Sequence, residues 1–236
     1  DFTDRRVAVI GTGSSAIQST PIISQQAQTL TIFQRTPNYS IPAYNAPLDP
    51  EYVKDLKSRY RQYREENWQR GFGADFDDND ESALAVSALE RRQTYEKRWA
   101  KGGLGFLAAY NDLVFDMQAN DTAREFFKEK IGQRVNDPAL AKKLVPTNPI
   151  GCKRLCVDSD YYEIYNQDHV NLVDLNEAPI SRIDGNAVVT GDDRYEVDAI
   201  VLATGFDAMT GAVTNIDIRG QQGRSLQDKW ASGPKA

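Results

Sequence analysis

Three stretches of the chain carry residue types at spacings that can do chemistry. The first is Gly11-x-Gly13-x-x-Ala16. Gly11 allows a tight turn, Gly13 lets the backbone come close to a pyrophosphate, and Ala16 keeps a following helix near its sheet. The free N–H groups of that helix then face the phosphates. The same spacing also suits a tight turn that binds nothing. The second stretch is Gln34-Arg35-Thr36. It stands about twenty residues further on, where a dinucleotide with a free ribose 2′-hydroxyl meets Asp or Glu. Arg35 can instead make charge-assisted bonds to a 2′-phosphate, and Thr36 can add a hydroxyl. NADPH is therefore expected in preference to NADH or the ADP half of FAD; the other reading of Arg35 is a solvated strand-end charge. The third is Lys153-Arg154, between Cys152 and Cys156. On spacing alone this is a pair of surface cations. A C-x₃-C pair with a single His, His169, falls short of a zinc ligand set, so no metal is expected.

These residues need elements to hold them. Val7–Ile10 and Leu30–Phe33 are apolar runs flanking a helical segment, which makes a strand, glycine turn, helix and strand in the order of a dinucleotide-binding unit. A stretch with Pro37, Pro42, Pro47 and Pro50 reads as extended connecting chain; Tyr39, Ile41 and Tyr44 within it either line a cleft or anchor the loop. From Glu51 to Val145 the pattern is helix after helix. Tyr52, Val53, Leu56, Tyr60 and Tyr63 recur at helical spacing and are expected in a core. Gly71 to Asp80 reads as a mobile acidic loop. Ser87-x-x-Glu90 and Thr122-x-x-Glu125 are capping boxes, the second opening a helix with Ala123, Phe126, Phe127 and Ile131 inward and Gly132 as its stop. Asp137-Pro138 starts a last short helix. Beyond it, Asp158 to Gln167 is expected as helix and Val170–Asp174 as a parallel strand. Pro179–Ile183, Ala187–Thr190 and Arg194–Val197 read as an antiparallel meander. Ala199–Ala203 reads as a buried strand, ending in Ala203-Thr204-Gly205, small residues that let the backbone pass beside a cofactor.

The expected fold class is α/β: a Rossmann-like NADPH-binding domain with a parallel sheet and a small antiparallel meander, interrupted by an all-helical insertion. The expected division is 1–45 and 146–212 for the nucleotide domain, 46–145 for the insertion and 213–236 for a return segment. At 236 residues the chain can bury a substantial core. A net charge of −6 without a basic stretch argues against a nucleic-acid partner. No apolar run has the length of a membrane span, and two cysteines make no disulfide framework; a reduced, cytoplasmic setting is expected. The chain opens at Asp1, close to a core strand, and stops soon after Trp230, as if cut from a longer protein.

Taken in order, GTGSSAIQ, FQRTPNYSIPA, GCKRLCVDSDYYEIYN, IVLATGFDAMTGA, DIRG and KWASGP closely resemble the Baeyer–Villiger monooxygenases, class B flavoproteins of the phenylacetone and cyclohexanone monooxygenase group. The resemblance covers essentially the whole chain. It implies FAD and NADPH as cofactors, and O₂ with a ketone or other small molecule as substrates, giving an ester or lactone. It implies that Gly11, Thr12, Gly13, Ser14, Ser15 and Gln18 hold the pyrophosphate region. Arg35, Thr36 and Lys153 would grip the 2′-phosphate, with Ala203, Thr204 and Gly205 beside the cofactor. Arg154 resembles the catalytic arginine that stabilises an oxygenated flavin. The family's FAD glycine motif, its signature segment, the acid that pairs with that arginine and its C-terminal part find no match here. The FAD domain of the same polypeptide is thus the implied partner, and these residues alone are expected to be inactive. An N- or S-hydroxylating flavin monooxygenase and a lone NADP-binding module are the alternatives.

Overall fold

In the computed structural model, which describes residues 1–71, 73–74, 76–207 and 209–234, Arg6–Ile10 forms strand β1. Its three central residues are buried, as an apolar run between two covered sheet faces should be. Helix α1 (Ser14–Gln26) returns the chain to β2 (Thr29–Gln34). Short strand β3 (Ser40–Pro42) follows, then helices α2 (Pro50–Ser58), α3 (Tyr60–Trp68), α4 (Ala88–Lys101), α5 (Met117–Arg134) and α6 (Pro138–Leu144). Strands β4 (Cys156–Asp158), β5 (Val170–Asp174), β6 (Ile180–Asp184), β7 (Ala187–Thr190), β8 (Asp193–Glu196) and β9 (Ala199–Leu202) complete the sheets. The main sheet is parallel, in the order β5-β2-β1-β9. Its register sets Ile10 against Phe33 and Leu202, and Gln34 against Asp174. The strands therefore end together, and Gly11, Arg35, Leu175 and Ala203 leave the sheet along one edge. Among the described residues, no helix is long and apolar enough to cross a membrane.

One face of this sheet is covered by α1, α6 and the Tyr161–Tyr165 segment, around Val9, Ile17, Leu30 and Ile32. The antiparallel meander β6-β7-β8 covers the other, with Phe33 edge-on to Tyr195 at 5.4 Å. A second core gathers Tyr95, Trp99, Phe106, Phe126 and Phe127 from α4, α5 and the turn between them, and takes in Tyr39, Ile41, Ile150 and Leu155. The described chain divides into two compact units, Asp1–Ala203 and Thr204–Ala236. The second holds two short helices, Gly211–Thr214 and Leu226–Lys229, and a bridge between Arg219 and Ser225.

Several local expectations hold. Ser87 accepts from the Glu90 N–H and Asp137 from the Ala139 N–H, each at the start of its helix. The meander and β5 lie where they were expected. Others change. Thr122 does not begin a helix: α5 starts six residues earlier, where Asp116 accepts from two amides of the first turn, and the Thr122 hydroxyl donates to Ala119. Gly132 lies inside α5, which runs to Arg134. Asp158 to Gln167 is the end of β4, a turn and a short 3₁₀ helix. Asp160 takes a left-handed φ of 66°, and the Asp158 carboxylate accepts from the Tyr161 N–H, a local bond that displaces the helix start. The proline-rich stretch contains β3, which pairs in parallel with β4. Tyr39 and Ile41 are buried there and Tyr44 is exposed. β9 is an edge strand and only half-buried, with Leu202 exposed. The stripe on α2 and α3 is not core: neither helix buries a residue. In the acidic loop, Phe72 and Asp75 lie outside the described residues. Its later part is tied down, with Lys101 paired to Asp77 at 2.5 Å and Asn79 donating to the Ala109 carbonyl at 2.9 Å.

Candidate functional site

The glycine turn leaves β1 with Gly11 at φ 113°, a left-handed conformation that other residues rarely adopt. Its N–H donates to the Phe33 carbonyl at 3.0 Å, so the turn is stitched to β2. The Thr12 hydroxyl donates to the Thr36 carbonyl at 2.7 Å, and Thr12 is buried. Its side chain is therefore spent on holding Thr36, and only its backbone is left for a ligand. Gly13 caps α1 with extended backbone. Among the described residues no side chain bonds the first-turn N–H groups of α1, and its first turn holds no acid. A Cβ added at Gly13 would meet nothing within 4 Å. Ser15 and Gln18 are exposed on this turn, Ser14 is half-buried, and Ala16 is fully buried against the sheet. An uncapped helix start with its partial positive charge is a place for an anion.

At the end of β2, three consecutive residues are each held from a different direction. Buried Gln34 donates to the Lys143 carbonyl at 2.8 Å, at the last turn of α6. The Arg35 carbonyl accepts from Asn176 at 2.7 Å, and that of Thr36 from Thr12. The Arg35 side chain is exposed and has no hydrogen bond or ion pair among the described residues.

Lys153 and Arg154 are exposed on the segment entering β4, likewise without an ion pair among the described residues. What brings this segment to the glycine turn is Cys156. Its thiol accepts from the Asn38 amide at 3.3 Å and lies beside the Ser14 hydroxyl and the Arg154 charge. Burial pushes the thiol up in pKa, and Ser14 and Arg154 act against that shift. Cys152 is exposed; both cysteines are free. Behind Cys156, Asp158 is fully buried and bonds Arg134 at 2.7 Å and the Ser40 hydroxyl at 2.6 Å. Arg134 also bonds Glu163 at 2.6 Å and lies over the Tyr162 ring. Burial works against the Arg134 charge, but its two carboxylate partners outweigh burial and hold it above its ordinary pKa.

The sequence-predicted residues of the first unit thus gather along the sheet edge. Ala203 is one of them: its N–H donates to the Ile10 carbonyl at 2.9 Å. Thr204 and Gly205 open the second unit, where Gly205 has φ 88°. Asn38, Cys156, Asp158 and Asn176 escaped the sequence reading. Only Asn176 left a signal, as the third residue of an Asp-x-Asn turn at a strand end. Among the described residues, no cluster of three metal-binding side chains exists.

No protein-family profile matches the chain. It is 40% identical over 236 residues to 2-oxo-Δ³-4,5,5-trimethylcyclopentenylacetyl-CoA monooxygenase of Pseudomonas putida, covering 99% of this chain and 43% of that protein. It is 41% identical over 237 residues to cyclopentanone 1,2-monooxygenase of Comamonas sp. (strain NCIMB 9872), with the same coverage. Among solved structures it resembles an oxidised steroid monooxygenase bound to NADP, at 51% identity and a TM-score of 0.92, over 99% of this chain and 45% of that one. It also resembles OTEMO in complex with FAD and NADP, at 39% identity and a TM-score of 0.94, over 99% and 44%. The chain spans a little under half the length of the relatives it matches. Across that span, the proteins it matches in both sequence and fold are Baeyer–Villiger monooxygenases.

Proposed function

We propose that this chain is the NADPH-binding part of an FAD-dependent Baeyer–Villiger monooxygenase, which inserts one oxygen atom from O₂ beside a ketone carbonyl to give an ester or lactone. The observation that carries the reading is a pair of anion-seeking features, the uncapped start of α1 and the Arg35 side chain, which no acid among the described residues satisfies and whose backbone segments the Thr12–Thr36 bond joins. The donor set suits NADPH. Arg35, Thr36 and Lys153 would hold the 2′-phosphate. The N–H groups of Gly13, Ser14 and Ser15 would face the pyrophosphate, with Gln18 beside them and open space over Gly13 for its approach. Held there, NADPH would supply the hydride, and FAD would supply the chemistry with O₂. Arg154 has a different task. At the reacting centre its guanidinium cation would favour negative charge on oxygen. FAD and the ketone are assigned chiefly to parts of the protein beyond these 236 residues, in keeping with the share of the relatives that the chain covers. A cytoplasmic setting agrees with the two unpaired cysteines.

The test is made on the full-length, FAD-loaded protein with a cyclic ketone. Arg154→Ala should leave NADPH oxidation measurable while lactone formation falls about a hundredfold, the scale seen when a preorganised charge is removed from a reacting centre. Normal lactone yield from the variant removes Arg154 from this role. Oxidation of amines or sulfides with no ester from any ketone points to the hydroxylating alternative.

A further inference from the structure

Arg35 stands one residue beyond β2, outside the ladder that fixes the strand. An exposed arginine at such a position has a mobile backbone as well as a long mobile side chain, and both must be ordered when a ligand binds. Here the backbone is already held. The side-chain amide of Asn176 donates to the Arg35 carbonyl at 2.7 Å, and Asn176 is itself held. The Asp174 carboxylate accepts from its backbone N–H at 2.9 Å and from its side-chain amide at 2.8 Å. Asp174 pairs with Gln34 across the sheet, and the Leu175 N–H extends that pairing to the Gln34 carbonyl at 2.8 Å.

The three anchors on residues 34–36 differ in burial. Gln34 and Thr12 are buried, so their bonds belong to the fold. Asn176 is exposed and adds no apolar packing. An exposed hydrogen bond that water can replace contributes little to global stability. Its consequence is local: it fixes where the Arg35 side chain starts.

We propose that Asn176 is a positioning residue that orients Arg35 and so sets the preference for a 2′-phosphorylated dinucleotide. This rests on the reading of Arg35 as the 2′-phosphate ligand. A dinucleotide without that phosphate does not use Arg35, so its binding is indifferent to Asn176.

The experiment measures the Kd of NADP⁺ and NAD⁺ by calorimetry on the full-length protein carrying Asn176→Ala, Asn176→Leu, Arg35→Ala, or Arg35→Ala with Asn176→Ala. Both Asn176 variants should bind NADP⁺ roughly three- to tenfold more weakly, NAD⁺ unchanged, at an unaltered melting temperature. In the Arg35→Ala background the second substitution should change nothing, because residues acting through one another are not additive. Equal weakening for both dinucleotides, unaltered NADP⁺ affinity, or an undiminished Asn176 effect without Arg35 overturns the positioning role. An unchanged preference in Arg35→Ala alone overturns the underlying assignment instead, so the two failures are told apart.

Discussion

Gly11 and Gly13 stand two positions apart and are glycines for different reasons. At Gly11 the backbone itself demands it, with φ at 113° and an N–H tied to Phe33. At Gly13 the backbone is ordinary and a Cβ would point into empty space. Nothing among the described residues crowds Gly13, so on the proposed reading the space a side chain would fill there is left for the ligand. Gly13→Ala should therefore fold, with a loss of about 1 kcal/mol for a poorer helix cap. Its dinucleotide affinity should fall about tenfold or more, from the steric cost of a methyl group against the pyrophosphate. Calorimetric titration beside a thermal melt checks this, and undiminished affinity would leave the glycine unexplained by binding. The places of the glycines, at a strand-to-helix turn, and of Arg35, just past a strand, were legible in the sequence because they depend on neighbours in the chain. Thr12 shows the limit of that legibility: the resemblance implies a residue that holds the cofactor, and the fold commits its hydroxyl to Thr36.

Among the elements, β4 is three residues long and yet places the Lys153–Arg154 segment. It is held by β3 on one side and by Asp158 behind it, where the carboxylate meets Arg134 of α5. Both charges are out of water: the Asp158 side chain is fully buried and that of Arg134 is 14% exposed. Removing one charge of a buried pair leaves the other uncompensated, so Asp158→Asn should cost about 3 kcal/mol of unfolding free energy. Chemical denaturation measures it; a midpoint equal to the parent's would show that Glu163 alone satisfies Arg134. None of this was visible in the sequence. The β3–β4 pairing joins residues far apart in the chain, and Asp158 read as a helix start because local pattern cannot report a partner in α5. The true start of α5 was missed for a similar reason. Thr122-x-x-Glu125 imitates a capping box, whereas Asp116 acts through two bonds that composition alone does not distinguish.

At the scale of the whole molecule, the aromatic residues fall into two populations. Those of α4, α5 and the turn between them form a stacked and edge-on cluster, with Phe106 and Phe127 at 4.9 Å between ring centres and fully buried. Those of α2 and α3, including Tyr52, Tyr60 and Trp68, are exposed. Helical periodicity marks an apolar face but not what covers it, and so the sequence reading treated both alike. Replacing Tyr52, Tyr60 and Trp68 together by Gln should keep stability within about 1 kcal/mol, as for surface positions. Phe127→Ala should cost about 3–5 kcal/mol. Paired denaturation curves decide, and a large loss from the triple variant would place those helices in the core after all. The parallel sheet has a further consequence, in time. Of its four strands only β1 and β2 are neighbours in the chain. The pairing of β1 with β9 spans 192 residues, as the Arg6–Asp198 bond at their start shows. At a synthesis rate of 5–20 residues per second, about 10–40 s separate the emergence of the two strands from the ribosome. Through that interval β1 has an open edge, of the kind that recruits strands from other chains. The edge that comes to carry the glycine turn and Ala203 is thus among the last parts of the nascent protein to close.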